Sequence, residues 1–260
     1  MNIGFFDSGL GGLTIFKEAI ANFKANYIYL GDIKNAPYGI KSKEEVKEYI
    51  FKNIEHLITK GCKIIVIACN TATSIAVKEL REKYPDICFI GTEPAVKPAI
   101  LLNANKKVLV MATSLTLKEE KLQSLINRLD AEKNAKLLPM DNLVRFAEDK
   151  EEINYIDADK YIKERFKEIN FEEFSSIVLG CTHFPLFRNE FKHHIPDYIE
   201  IIDSANGVVN NMIKHANELD LKSEKENKIT VILTKNNKYF IEKASKILNV
   251  EEKELKCEII

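Results

Sequence analysis

A long apolar run is missing from this chain of 260 residues. The longest, Ile64 to Cys69, has the length of a strand, far below the ~20 residues that cross a bilayer, so no membrane partner is expected. Basic residues are missing ahead of the first short apolar run, Met1 to Asp7, which argues against a secretory signal and for a cytoplasmic protein. A surplus of charge is missing too. The formal net charge is -1, so nothing points to nucleic acid or another polyanion as partner. The basic cluster from Lys222 to Lys228 is interleaved with acids and reads as a solvated face. Cys-x-x-Cys is absent, and the five cysteines (62, 69, 88, 181 and 257) are odd in number. Neither a disulfide framework nor a metal site is expected from them. A thiol redox protein is disfavoured, and reduced thiols in a cytosol are the natural state.

What is present is a globular composition. Hydrophobic residues make up 45% and charged residues 30%, enough to bury one large core or two of ordinary size. Short Ile/Val/Leu runs alternate with amphipathic stretches. Strands are expected near 3–7, 27–31, 63–68, 87–91, 107–111, 136–140, 176–180, 199–203, 229–234 and 254–259. Their continuous apolar character fits strands buried on both faces. Ser42-x-x-Glu45 reads as a capping box ahead of Val46, Ile50, Ile54, Leu57 and Ile58 on one helical face, and Gly61 ends that helix. Thr116-x-x-Glu119 repeats the pattern ahead of Leu122, Leu125, Ile126 and Leu129. Such alternation specifies an α/β fold with mainly parallel sheets.

Four expected strands end in short polar signatures: Phe5-Phe6-Asp7-Ser8, Val66-Ile67-Ala68-Cys69-Asn70-Thr71, Val110-Met111-Ala112-Thr113-Ser114 and Val178-Leu179-Gly180-Cys181-Thr182-His183. Asp7 precedes Cys69 by 62 residues and Thr113 precedes Cys181 by 68. A small polar end followed by a cysteine end thus occurs twice, which suggests two related halves. Ligands of open α/β sheets bind beyond the carboxyl ends of the strands. Two halves facing each other would bring both cysteines into one cleft.

Thiols act as bases through the thiolate, and a helix N-terminus favours that form. Cys69 precedes a segment that reads as a helix, Thr71 to Lys83, and Cys181 has a similar context with Pro185 suited to the first turn. A free cysteine taken alone is more often an inert buried thiol; the matched contexts favour a function. Cys62, Cys88 and Cys257 lack that context and are assigned to packing. Asp7 and His183 can move protons or orient a thiol, the plainer alternatives being an N-cap and a structural histidine. The loop Ser8-Gly9-Leu10-Gly11-Gly12-Leu13-Thr14, with Asp32 ending the second strand, imitates a dinucleotide fingerprint, but Thr14 stands at its third glycine. Those glycines would equally serve a tight turn or bring N–H groups to a substrate carboxylate. Asn70, Thr71, Thr113, Thr116 and Thr182 add neutral polar groups at the same strand ends, where helix capping is the plainer alternative.

The runs from Phe6 to Thr14, Leu30-Gly31-Asp32, Ala36-Pro37-Tyr38-Gly39, Ala68 to Thr73 and Leu179 to Leu186 resemble the glutamate racemase family. Gly91 to Ala95 and Ile202 to Ala205 fit it too. The resemblance implies two pseudo-symmetric α/β domains with the site in the cleft between them. It implies glutamate as a small-molecule substrate, D-glutamate made for bacterial peptidoglycan, and no pyridoxal phosphate, metal or other cofactor. By the same resemblance Cys69 takes the proton from D-glutamate and Cys181 takes it from L-glutamate, with Asp7 and His183 assisting. Asp7, Ser8, Pro37, Tyr38, Gly39, Asn70, Thr71, Thr113, Thr116, Thr182 and His183 would line the substrate pocket. Family members are often homodimers. The two cysteines must come from different halves, so domains are expected at 1–95 with 206–260, and at 96–205. Family members often carry Val-Glu-Glu-Gly where the second domain meets the cleft; here the region reads Leu143 to Asp149, and neither Glu148 nor Asp149 receives a role. An aspartate racemase and a nucleotide-binding module with inert cysteines are the competing readings.

Overall fold

The computed structural model describes residues 2–102, 106–128, 134–149, 151–221 and 223–260; Leu129 and Lys222 lie outside them. Ten strands are described: β1 (Asn2–Asp7), β2 (Asn26–Gly31), β3 (Cys62–Ile67), β4 (Cys88–Gly91), β5 (Lys107–Ala112), β6 (Ala135–Pro139), β7 (Phe174–Leu179), β8 (Glu200–Ile202), β9 (Lys228–Leu233) and β10 (Leu255–Ile259). Every one falls within two residues of its expected span. The helices between them are α1 (Leu13–Asn22), α2 (Lys43–Thr59), α3 (Asn70–Lys83), α4 (Val96–Leu102), α5 (Ser114–Lys118), α6 (Glu120–Arg128), α7 (Asn142–Ala147), α8 (Tyr155–Phe166), α9 (Arg188–Lys192), α10 (Ala205–Glu218) and α11 (Lys238–Leu248). No helix among the described residues is long and apolar enough to cross a membrane.

The strands form two sheets, ordered β10-β9-β2-β1-β3-β4 and β6-β5-β7-β8, with every pairing parallel. Continuous apolar strands fit because helices cover both faces. Along β3, Ile64 and Val66 pack toward α1 and α10, while Ile65 and Ile67 pack toward α2 and α3. Along β5, Leu109 and Met111 face α7 and α8, while Val108 and Val110 face α4 and α6. Each such side chain contributes roughly 1.5–3 kcal/mol by leaving water.

Both sheets contain the same four-strand order. β1 lies between β2 and β3 with β4 outside, and β5 lies between β6 and β7 with β8 outside. The chain reverses its direction of travel across the sheet at β1 and again at β5. A crevice opens at such a switch point, beyond the carboxyl ends of the two diverging strands. Asp7 and Cys69 stand at the β1/β3 switch; Thr113 and Cys181 stand at the β5/β7 switch.

Two helix starts differ from their sequence reading. Ser42 caps α2 by accepting from the Glu45 N–H at 3.2 Å. The Glu45 carboxylate does not complete the box; it bonds the Tyr49 hydroxyl and pairs with Lys41. Gly61 terminates that helix with φ +78°, a conformation that favours glycine. Thr116-x-x-Glu119 is not a capping box. Thr113 caps the short α5 by accepting from the Thr116 N–H at 3.3 Å. Glu119 is extended backbone between α5 and α6 and pairs with Lys43. The hydroxyl that composition offered for a cap is instead held in a side-chain cluster.

Candidate active site

Cys69 is the N-cap of α3, and its sulfur accepts the Ala72 N–H at 3.4 Å. Ser8, following β1, places its hydroxyl 3.7 Å from the same sulfur. Cys181 follows β7 but does not begin an α-helix. A 3₁₀ turn, Phe184–Phe187, comes next with Pro185 in its first turn, and α9 is only five residues long. The expected helix dipole is therefore replaced by a side chain: His183 Nδ1 stands 3.7 Å from the Cys181 sulfur.

The two thiols open into one cavity of about 360 Å³. Ser8, Pro37, Tyr38, Gly39, Cys69, Asn70, Thr71, Thr113, Cys181, Thr182 and His183 line it, together with Asp141, Asn142, Val144 and Arg145. Eleven residues expected at the site therefore line one cavity. Asp7 and Thr116 stand one layer behind it. Thr116 closes a triangle of buried hydroxyls with Thr71 at 3.1 Å and Thr113 at 2.9 Å, which joins the two halves. Asp7 accepts the Gly9 N–H at 2.9 Å and the Thr182 hydroxyl at 3.1 Å. It caps no helix; Gly12 precedes α1 without a side-chain cap.

The glycine loop is shaped by what presses on it. A Cβ on Gly11 would lie 2.5 Å from His183 Nδ1 and 2.6 Å from the Thr182 hydroxyl. A Cβ on Gly9 would collide with the Glu148 carboxylate, and one on Gly12 with Asp7. The room that a pyrophosphate would need is filled by side chains. The Gly9 and Leu10 amides are bonded to Asp7 and Glu148, so they do not wait for a substrate carboxylate either. Asp32, which a dinucleotide ribose would require, is buried and accepts from Tyr38, Asn35 and Thr234.

Sequence reasoning missed Glu148. It follows α7, and its carboxylate accepts the Leu10 N–H at 2.5 Å and meets His183 Nε2 at 2.6 Å. The available signal was an acid closing a mostly apolar turn, Leu143, Val144, Phe146 and Ala147 around Arg145. His193 and His194 pair with Asp159, and His215 with Glu218, and none of them lines the thiol cavity. Cys62 is buried packing, and Cys88 is half-buried. Cys257 is exposed, contrary to its assignment to packing, because β10 is an edge strand with a single neighbour.

Electrostatics distinguish the surroundings of the two thiols. Burial pushes the Cys69 thiol up to about 12, reinforced by Asp7 and opposed by the Ala72 N–H and Ser8. The helix N-terminus is thus outweighed by desolvation, and Cys69 holds its proton. Burial also raises Asp7 to about 6, against the pull of His183 and the Gly9 N–H. Burial works against a charged His183, but Cys181 and Glu148 outweigh it and hold the imidazole well above its usual range. Glu148 is the counterpart: burial is overcome by His183, the Leu10 N–H and Lys243, and its carboxyl stays below the usual carboxylate range. An imidazolium therefore sits at Cys181 and a protonated thiol at Cys69.

Residues 15–212 match the Asp/Glu/Hydantoin racemase family, and the chain belongs to that family. The glutamate racemase of Halothermothrix orenii is 46% identical over 228 residues, which are 86% of each chain. The glutamate racemase structure of Bacillus anthracis superposes with a TM-score of 0.86 at 26% identity, covering 99% of this chain and 96% of its own. That of Escherichia coli, solved with L-glutamate, gives 0.81 at 26% identity, covering 99% and 98%. Within the family, this chain stands among the glutamate racemases.

Proposed function

We propose that this protein interconverts L-glutamate and D-glutamate without a cofactor, by proton transfer between two thiols. The observation that carries the reading is that Cys69 and Cys181, from the switch points of two different sheets, line one cavity of about 360 Å³. Inversion of a stereocentre needs a base on one face and an acid on the other. An α-proton is weakly acidic, so the protein must supply positioned groups, fixed dipoles and exclusion of water.

In the L-to-D direction, Cys181 takes the α-proton, and the His183 imidazolium is the counter-charge beside it. The protonated Cys69 delivers its own proton to the opposite face. Both sulfurs then hold the other's former protonation state, which is the starting state for the D-to-L direction. Asp7 and Ser8 serve the Cys69 side; Glu148 and His183 serve the Cys181 side. The substrate's charged ends meet neutral groups. Asn70 Oδ1 is buried with no hydrogen-bond partner among the described residues and accepts from the ammonium. The Thr71 hydroxyl donates to carboxylate, while those of Thr113 and Thr182 are already given to Thr116 and Asp7. We assign residues 1–95 with 206–260 to one domain and 96–205 to the other, which fits the sheet membership of their strands. By family likeness the D-glutamate supplies peptidoglycan from the cytoplasm.

The test is circular dichroism of L-glutamate incubated with purified protein and no added cofactor, with L-aspartate run in parallel. Decay of the glutamate signal to zero at a rate well above that for aspartate is expected. A stable glutamate signal, or faster decay with aspartate, would overturn the assignment.

A further inference from the structure

Lys243 is a buried cation that the proposed proton transfer does not use. It lies in α11, where it is 8% exposed, and does not line the thiol cavity. Burying an ammonium is costly unless charge and hydrogen bonds compensate it. Its Nζ donates to the backbone carbonyl of Asp149, the residue that follows Glu148. The carboxylates of Glu148, Asp149, Glu152 and Glu242 face it, and burial opposes its charge. The bonds run on from there. The Glu148 carboxylate meets His183 Nε2 at 2.6 Å, and His183 Nδ1 stands 3.7 Å from the Cys181 sulfur. The groups facing Glu148 are His183, Lys243, the Leu10 N–H, Asp7 and Tyr29.

We propose that Lys243 is a positioning residue for the Glu148–His183 pair, tying the carbonyl behind Glu148 to α11 and supplying the positive field that keeps the Glu148 carboxylate ionised against the imidazole. The proposal rests on the two-thiol reading for its consequence in turnover. The element that carries Lys243 packs on the first sheet, whereas Glu148 and His183 belong to segments around the second. The charge state beside Cys181 therefore depends on a side chain from the far end of the sequence. A purely mechanical tie would need only a donor to the carbonyl; the proposal needs the charge.

Three variants of the full chain separate these roles. Lys243→Gln keeps a neutral donor, Lys243→Arg keeps the charge, and Lys243→Met keeps neither. The first readout is the histidine ring nitrogens in labelled protein, followed by NMR as pH falls, which reports uptake of a proton by the Glu148–His183 pair without requiring turnover. The low-pH step should move upward in Gln and Met and return in Arg. The second readout is the acid limb of the kcat profile, which should move with it, while kcat at neutral pH falls on the order of tenfold. If Met does not fold, Gln against Arg decides alone. An unmoved NMR step in Gln overturns the proposal, whatever its activity. A step that moves in Gln, together with a wild-type protein that does not racemise glutamate, supports the role of Lys243 and sinks the two-thiol reading instead.

Discussion

Gly11→Ala adds a single methyl group at the most crowded point of the glycine loop. No positive φ requires glycine there, so the backbone accepts alanine and the effect is steric alone. The new Cβ would stand 2.5 Å from His183 Nδ1, 2.6 Å from the Thr182 hydroxyl and 2.8 Å from His183 Cε1. Ordinary contact begins near 3.4 Å, so the ring must retreat by about 1 Å. It has little freedom to do so. His183 is 3% exposed and bonded to Glu148 on its other side. Overpacking of this kind costs about 1–3 kcal/mol of stability. A 1 Å displacement beside the reacting sulfur costs roughly a hundredfold in rate. Expected, then, is a folded protein melting several degrees lower, with kcat for L-glutamate down by about two orders of magnitude. The assay is polarimetric racemisation beside thermal unfolding. Gly207→Ala is the control: nothing lies within 4 Å of its Cβ, and alanine in the first turn of α10 should leave stability unchanged or slightly higher, with unchanged kinetics. Racemisation by Gly11→Ala within a few-fold of wild type would refute the argument that this glycine exists to admit His183 and Thr182.

Serine at either Cys69 or Cys181 should abolish racemisation, because each face needs its own acid or base. With a substrate analogue that eliminates a β-substituent, Cys69→Ser should process only the L-like form and Cys181→Ser only the D-like form; equal facial preference in both variants would contradict opposed thiols. Cys62→Ser, Cys88→Ser and Cys257→Ser should leave kinetics nearly unchanged. Asp7 titrates near 6 when folded against 3.8 in the open chain. The folded state therefore binds the proton more tightly, and wild type should lose about 3 kcal/mol as pH rises from 3.8 through 6. Asp7→Asn should remove that slope from urea unfolding curves, and an unchanged slope would place the titration elsewhere. Activity should survive exhaustive dialysis against chelators and carbonyl reagents; a loss restored by a metal or by pyridoxal phosphate would end the two-thiol account.

The strands were legible because burial on both faces leaves continuous runs such as Ile64 to Ile67, and a run of that kind has one structural use at that length. The cysteine pair was legible because two copies of one strand-end pattern mark equivalent places in two sheets. Thr116 was misread because Ser/Thr-x-x-Glu has the same composition whether the hydroxyl caps a helix or bonds other side chains. The 3₁₀ turn after Cys181 was hidden by a proline equally at home in an α-helix. Glu148 and Lys243 were illegible for a different reason. Each is an ordinary charged residue in or beside a helix, and its importance arises from partners 35 to 138 residues away in sequence. No local spacing encodes a contact of that kind.

The place of β9 in the sheet constrains how the chain can be made. β9 lies between β2 and β10, so β2 lacks one neighbour until residues 228–233 have left the ribosome. The second sheet is drawn from one continuous stretch, 107–202, and can close while synthesis continues. The first sheet meanwhile presents an open edge at Asn26 to Gly31, rich in Tyr27, Ile28, Tyr29 and Leu30. An unpaired apolar edge of this kind is a template for association with another chain. A ribosome stalled before residue 228 would hold a finished second half and an unfinished first one, and chaperone demand should be greatest in that interval.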